Sequence, residues 1–198
     1  IGFGGIDQVL ASDENLNILV LDSQVYSNTG GQASKASPKG SIASFASSGK
    51  KTYQKDLASI AMQYPNVYVA TVSLGANAMQ TIRAMKEAVE HPGPSIIIAY
   101  SPCIAHGLKG GMSKSMESEK LATTCGYFPI FRRNPKTGFT LDSKQVNFDM
   151  YYDYLNMQTR YAMLKTVNPE KAEQLLKDNK EAAEKRFSYY QSLEKENE

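Results

Sequence analysis

The chain has 198 residues, 21% of them charged, and a formal net charge of +2. That length can bury a substantial core, and so small and dispersed an excess of charge gives no reason to expect nucleic acid or an acidic membrane as partner. No apolar run approaches the roughly 18 residues that a membrane helix needs. Two cysteines and no Asn-x-Ser/Thr sequon fit a reducing, cytoplasmic setting better than a secreted disulfide scaffold. The chain opens on Ile1 without a Met, and its first residues, GFGG, read as the interior of a longer protein.

In chain order, residues 6–11 suggest a short helix and Asn15–Ser23, with Ile18-Leu19-Val20-Leu21, a buried strand. A polar loop follows, DSQVYSNTGG from Asp22 to Gly31 and on to Gly40, long enough in a compact domain to suggest a function. Lys50–Tyr64 places Leu57, Ile60, Ala61 and Tyr64 at helical spacing. Val67–Leu74 reads as a second strand, and Asn77 as the cap of a helix whose apolar stripe is Met79, Ile82, Met85 and Val89. Pro92-Gly93-Pro94 ends that helix, and Ser95–Tyr100 is a third strand. Three continuous apolar strands separated by amphipathic helices define an α/β fold: a mostly parallel sheet with helices on both faces. Beyond it, Met116–Cys125 suggests a helix, Phe128–Arg133 an extended segment, Thr137–Lys144 a loop, and Asn147–Val167 and Pro169–Glu194 two helical stretches. The last carries Leu176, Ala183, Phe187 and Tyr190 on one stripe, as a C-terminal helical extension would. We divide the chain accordingly into residues 1–135, the α/β domain, and residues 136–198, a loop and helical extension.

Ligands in such sheets gather beyond the carboxyl ends of the strands. Those ends are the Asp22 loop, Leu74-Gly75-Ala76 and Ser101-Pro102-Cys103. The Asp22–Gly31 loop offers hydroxyls, an amide and glycines, the parts of a phosphate cradle or a hard-cation site; an ordinary turn built on Asn and Gly-Gly would look the same. Ser48-Gly49-Lys50-Lys51-Thr52 lacks the leading Gly and the final Ser/Thr placement of a nucleotide P-loop and reads instead as a helix start. Cys103 is by itself a buried-type residue. His106 reads as a loop hydrogen-bonder, and Cys125 and His91 as structural. From these residues alone, an enzyme and a non-catalytic α/β phosphate-binding or scaffold module both stay open.

Longer stretches narrow the choice. GFGGIDQVLAS, LVLDSQVYSNTGGQASKASPKG, KKTYQKDLASIAMQYPNVYVATVSLGANAMQT, PSIIIAYSPCIAHG and EKLATTCGYFPIFRRNP, in that order, resemble the C-terminal thiamin-diphosphate domain of the pyruvate:ferredoxin (flavodoxin) oxidoreductase family over nearly the whole chain. The resemblance implies oxidative decarboxylation of pyruvate with coenzyme A, electrons leaving through 4Fe-4S clusters to ferredoxin or flavodoxin; a related 2-oxo acid is the alternative. It implies the cofactors thiamin diphosphate, Mg2+ and a 4Fe-4S cluster. It matches Ser23, where relatives usually carry Thr, and the Val25 carbonyl to Mg2+ ligands, with a Gly-Asp-Gly expected before Ile1. It places Ser27, Asn28 and Thr29 around the diphosphate, with Asn28 reaching the reacting centre, and Cys103 as the fourth thiolate of the cluster nearest the thiamin. Asp22 becomes a structural acid. The partners implied are the remaining domains of the same enzyme and a second copy of it, with neither nucleic acid nor membrane. The chain by itself is expected to be inactive. A direct consequence is that Ser23 and Cys103 must lie on neighbouring strand ends.

Overall fold

A computed structural model describes residues 2–105 and 107–195; His106 lies outside the described residues. Five strands form one sheet in the order β1-β3-β2-β4-β5. The strands are β1 (Asn17–Asp22), β2 (Tyr68–Val72), β3 (Ser95–Tyr100), β4 (Phe131–Asn134) and β5 (Gly138–Leu141). β1, β3 and β2 are parallel, with Leu19 opposite Ile97 and Ile97 opposite Ala70. β4 pairs antiparallel with β2, and β5 with β4. The parallel strands are the three expected. The loop expected at 137–144 instead contains β5, a four-residue strand whose Phe139 and Leu141 alternate inward over too few residues to mark a period in the sequence.

Alternation along the strands makes two cores. Val69, Ile96, Ile98 and Tyr100 face the larger one, closed by Ala58 and Ala61 of α2 (Leu57–Ala61), by Tyr151, Tyr154 and Leu155 of α5 (Tyr151–Met157) and by the stripe of α8 (Pro169–Lys195). Leu176, Ala183, Phe187 and Tyr190 of α8 are all buried, as their spacing predicts, and Phe131, Phe139 and Tyr190 stack together so that residues on both sides of position 135 share this core. Tyr68, Ala70, Val72 and Ile97 face the smaller core, covered by α3 (Ala78–Glu90). Helices therefore lie on both faces.

α3 starts where Asn77 caps it, its side chain accepting from the Gln80 amide at 3.0 Å, yet it packs the opposite way from its apolar stripe. Ala84 and Ala88 are buried, whereas Met79, Ile82, Met85 and Val89 are 41–69% exposed. The small face allows close approach to β2 and β3, and the Gln80 side chain anchors it by donating to the Thr71 carbonyl and to Asp142 at 3.2 and 2.9 Å. Beside it, Leu19 and Leu21 of β1 are also open on this face.

Two other expectations change. The helix expected over residues 50–64 is confined to α2. Lys50 and Lys55 bond sideways, Lys50 to Gly40 and Ser41 and Lys55 to Lys35, so the helix begins only where Asp56 accepts from the Ser59 amide at 2.9 Å. Residues 48–52 consequently form irregular loop rather than a helix start. The stretch 147–167 is broken into α5, α6 (Thr159–Ala162) and α7 (Leu164–Val167). Gln158 is extended, ψ 118°, because residues 157 and 159 pair with the 107–109 loop through Lys109 N to Met157 O and Thr159 N to Gly107 O. The remaining helices are α1 (Phe3–Leu10) and α4 (Ser115–Thr124), both close to expectation. Among the described residues no helix is long and apolar enough to cross a membrane.

Candidate active site

β1 delivers Asp22 to the carboxyl edge, and the chain turns at once. The Asp22 carboxylate accepts from the Gln24 amide at 3.2 Å, an Asx turn. Burial pushes the Asp22 carboxyl up to about 6, opposed by that amide and by the charges of Arg160 and Arg186. Gln24 takes φ +60°, uncommon for a residue with a side chain. It is held there from three sides: Tyr127 Oη and Arg160 Nη2 both donate to its side-chain oxygen, at 2.5 and 2.9 Å, and Ser37 Oγ donates to its carbonyl at 2.6 Å. Tyr127 in turn meets Tyr161, while Tyr100 bonds Tyr154 next to it.

The result is a defined pair of oxygens. Ser23 Oγ lies 2.9 Å from the Val25 carbonyl, donating to it. Downstream the loop folds back, with Tyr26 N donating to the Gln32 carbonyl and Gly31 N to the Tyr26 carbonyl, both at 3.0 Å. Thr29 Oγ1 donates to the Gln32 side chain at 2.7 Å, and the Gln32 amide returns a bond to the Thr29 carbonyl. Gly30 and Gly31 carry positive φ, as the Gly pair suggests.

Ser23, Val25, Ser27, Asn28 and Thr29 all line one cavity of about 630 Å³. Its wall also holds Phe3, Thr71, Ile98, Lys55, Asp56 and Arg186. Leu74-Gly75-Ala76 does not line it: a side chain at Gly75 would lie 2.7 Å from the Met116 carbonyl, and its amide donates to Glu119, so that strand end is closed against α4. Cys103 is on the far side of Val25, in a small void shared by Gln24, Val25, Gly107 and Arg160. β1 and β3 are direct neighbours, Asp22 opposite Tyr100, and the ladder continues through Ser101 N to Asp22 O at 3.1 Å. The sheet therefore brings Ser23 and Cys103 to adjacent strand ends. Cys125 is fully buried, and burial pushes its thiol up to about 12, which keeps it protonated and inert.

The geometry suits a hard cation. Mg2+ with oxygens at 2.0–2.1 Å in an octahedron sets neighbouring ligands about 2.9 Å apart, the separation of Ser23 Oγ and Val25 O. On binding, the Ser23 hydroxyl would turn its hydrogen away and present a lone pair. Sequence reasoning misses Gln24 and Arg160, which shape this pair. The strained φ at Gln24 has no local signature, and Arg160 lies in a stretch read only as helical.

A doubly covered α/β sheet with a hydroxyl-rich loop at its carboxyl edge and a cavity beside it is the frame of a cofactor-binding domain. Residues 3–99 match the family model of the thiamine pyrophosphate enzyme C-terminal TPP-binding domain. More particularly, the chain corresponds to that domain of the pyruvate-flavodoxin and pyruvate:ferredoxin oxidoreductases. It is 49% identical to the pyruvate-flavodoxin oxidoreductase of Klebsiella pneumoniae and 47% identical to the pyruvate:ferredoxin oxidoreductase of Moorella thermoacetica, in each case over 98% of this chain and 17% of the relative. It is 46% identical to the mitochondrial pyruvate dehydrogenase [NADP(+)] of Euglena gracilis, over 98% of this chain and 11% of that protein. The chain thus spans about a sixth or less of the length of these relatives.

Proposed function

We propose that this chain is the cofactor-binding part of a cytoplasmic enzyme that oxidatively decarboxylates pyruvate with coenzyme A and passes the electrons to ferredoxin or flavodoxin. The observation that carries the reading is the Ser23–Val25 oxygen pair at a cavity that Ser27, Asn28 and Thr29 also line, one strand away from Cys103. When bound, thiamin diphosphate would supply carbanion and electron-sink chemistry for a 2-oxo acid, and a 4Fe-4S cluster would supply a one-electron acceptor. Ser23 and the Val25 carbonyl would hold Mg2+, Ser27 and Thr29 would position the diphosphate, Asn28 would face the reacting centre, and Cys103 would supply one cluster thiolate. The other domains of the enzyme, in a homodimer, would complete the site. The relatives' names differ in electron acceptor while this segment stays 46–49% identical, which supports a choice of acceptor made in other domains.

The test uses full-length enzyme containing this chain, purified without oxygen. Ser23→Ala should weaken Mn2+ binding, followed by the EPR of the free ion, and raise the Mg2+ concentration needed for activity. Cys103→Ser should remove about four irons per chain or convert one cluster signal. Unchanged Mn2+ affinity in the first and unchanged iron in the second would sink the assignment. A panel of 2-oxo acids checks the substrate, with pyruvate expected to give the highest kcat/KM.

A further inference from the structure

Arg160 is 6% exposed, and among the described residues no carboxylate comes within ion-pair distance of it. A charge buried this way is destabilising by several kcal/mol unless something compensates it. Its Nη2 is used by Gln24 and Tyr127. Its Nε has no partner and is directed to the 103–107 turn: a side-chain carbon at Gly107 would lie 4.0 Å from it and 3.1 Å from the Cys103 carbonyl. The acceptor Gln158 Oε1, also unpartnered, lies 3.1 Å from the same point. Arg160 and Cys103 line the same small void. The Arg160 charge is felt by Asp22, at the other end of the Gln24 turn. The break at Gln158 is what brings Arg160 inward, since a continuous helix would leave no pairing for the 107–109 loop.

We propose that Arg160 is a fixed buried cation that sets the reduction potential of the cluster held by Cys103, and so the ease with which electrons leave the thiamin site. The inference rests on the reading of Cys103 as a cluster ligand. One-electron reduction makes the cluster more negative, and a guanidinium held in a low-dielectric interior stabilises the reduced form more than the oxidised one. Arginine is suited to this because it stays protonated when buried. Its bond to Gln24 ties the same charge to the loop bearing Ser23 and Val25, while the void it shares with Cys103 keeps it beside the cluster ligand.

The experiment is an anaerobic EPR-monitored redox titration of the full-length enzyme at pH 8, with dithionite as reductant. Arg160→Gln should move the midpoint of one cluster to more negative potential and leave the others in place, while Arg160→Lys should stay close to the parent. Arg160→Met, which keeps most of the stem's volume and loses the charge, carries the same expectation and decides the matter if Arg160→Gln does not fold. Unmoved midpoints in the folded variants, or an equal shift in Arg160→Lys and Arg160→Gln, would overturn the proposal. Cys103→Ser separates the two levels. If it alters one cluster and that cluster is insensitive to Arg160, only this inference fails; if it alters none, the ligand assignment itself fails.

Discussion

Replacing Arg132 by Met tests how the sheet is tied to α3. Arg132 on β4 is 12% exposed in its side chain and grips Asp142 with two bonds of 2.9 Å, while its third nitrogen reaches Glu87 of α3 at 2.5 Å. Glu87 also accepts from Tyr68 Oη at 2.9 Å, and Asp142 from Gln80. The network thus joins β2, β4, the end of β5 and α3 around one guanidinium. Methionine keeps most of the stem's volume and removes the charge, leaving two carboxylates, 12% and 26% exposed, around a neutral side chain. Breaking a buried pair costs about 3–5 kcal/mol, and the partial exposure of Glu87 puts this one at the lower end, about 3 kcal/mol. In a domain of this size that lowers the melting temperature by roughly 6–12 °C. Urea unfolding of the chain by far-ultraviolet circular dichroism gives the number. The triple variant Arg132→Met, Glu87→Gln, Asp142→Asn should recover about half of the loss, since no uncompensated charge remains. A loss below about 1 kcal/mol for Arg132→Met would show that the pair is solvated like a surface bridge and that the argument from burial is wrong.

Other expectations follow from burial. Cys125, with its thiol pushed up to about 12 by burial, holds only about one ten-thousandth of itself as thiolate at pH 8, so iodoacetamide should label it in urea and not in the folded chain; labelling in both by mass spectrometry would refute the buried placement. For α3, Ala84→Leu should cost about 1–3 kcal/mol by overpacking, and Ile82→Gln should stay within about 0.5 kcal/mol. The reverse ranking in urea unfolding would restore the stripe read from the sequence.

β2 and β3 were legible because strands buried on both faces read as unbroken apolar runs, and β1 because its run is equally apolar although Leu19 and Leu21 lie open on one face. The loop was legible as a site because it combines length, hydroxyls and paired glycines after such a strand. α3 was misread for a physical reason. Periodicity locates a stripe of large residues but does not say that a stripe of alanines fits closer to a sheet already filled by Tyr68. Short β5 carries too few residues for any period. The side chains that hold the loop in place were out of reach because their partners are distant in sequence: nothing near Gln24 announces Tyr127 or Arg160.

That separation orders the making of the protein. The strained Gln24 turn is bonded by side chains 103 and 136 residues further on. During synthesis the loop emerges before β2 to β5, while its last constraint, Arg160, arrives only after the whole sheet and the break at Gln158 have been made. Contacts of such span close late. A nascent or proteolysed chain ending before Arg160 can therefore build its strands while its Ser23 and Val25 oxygens remain unset, and affinity for a divalent ion becomes a report on whether the distant C-terminal half has docked.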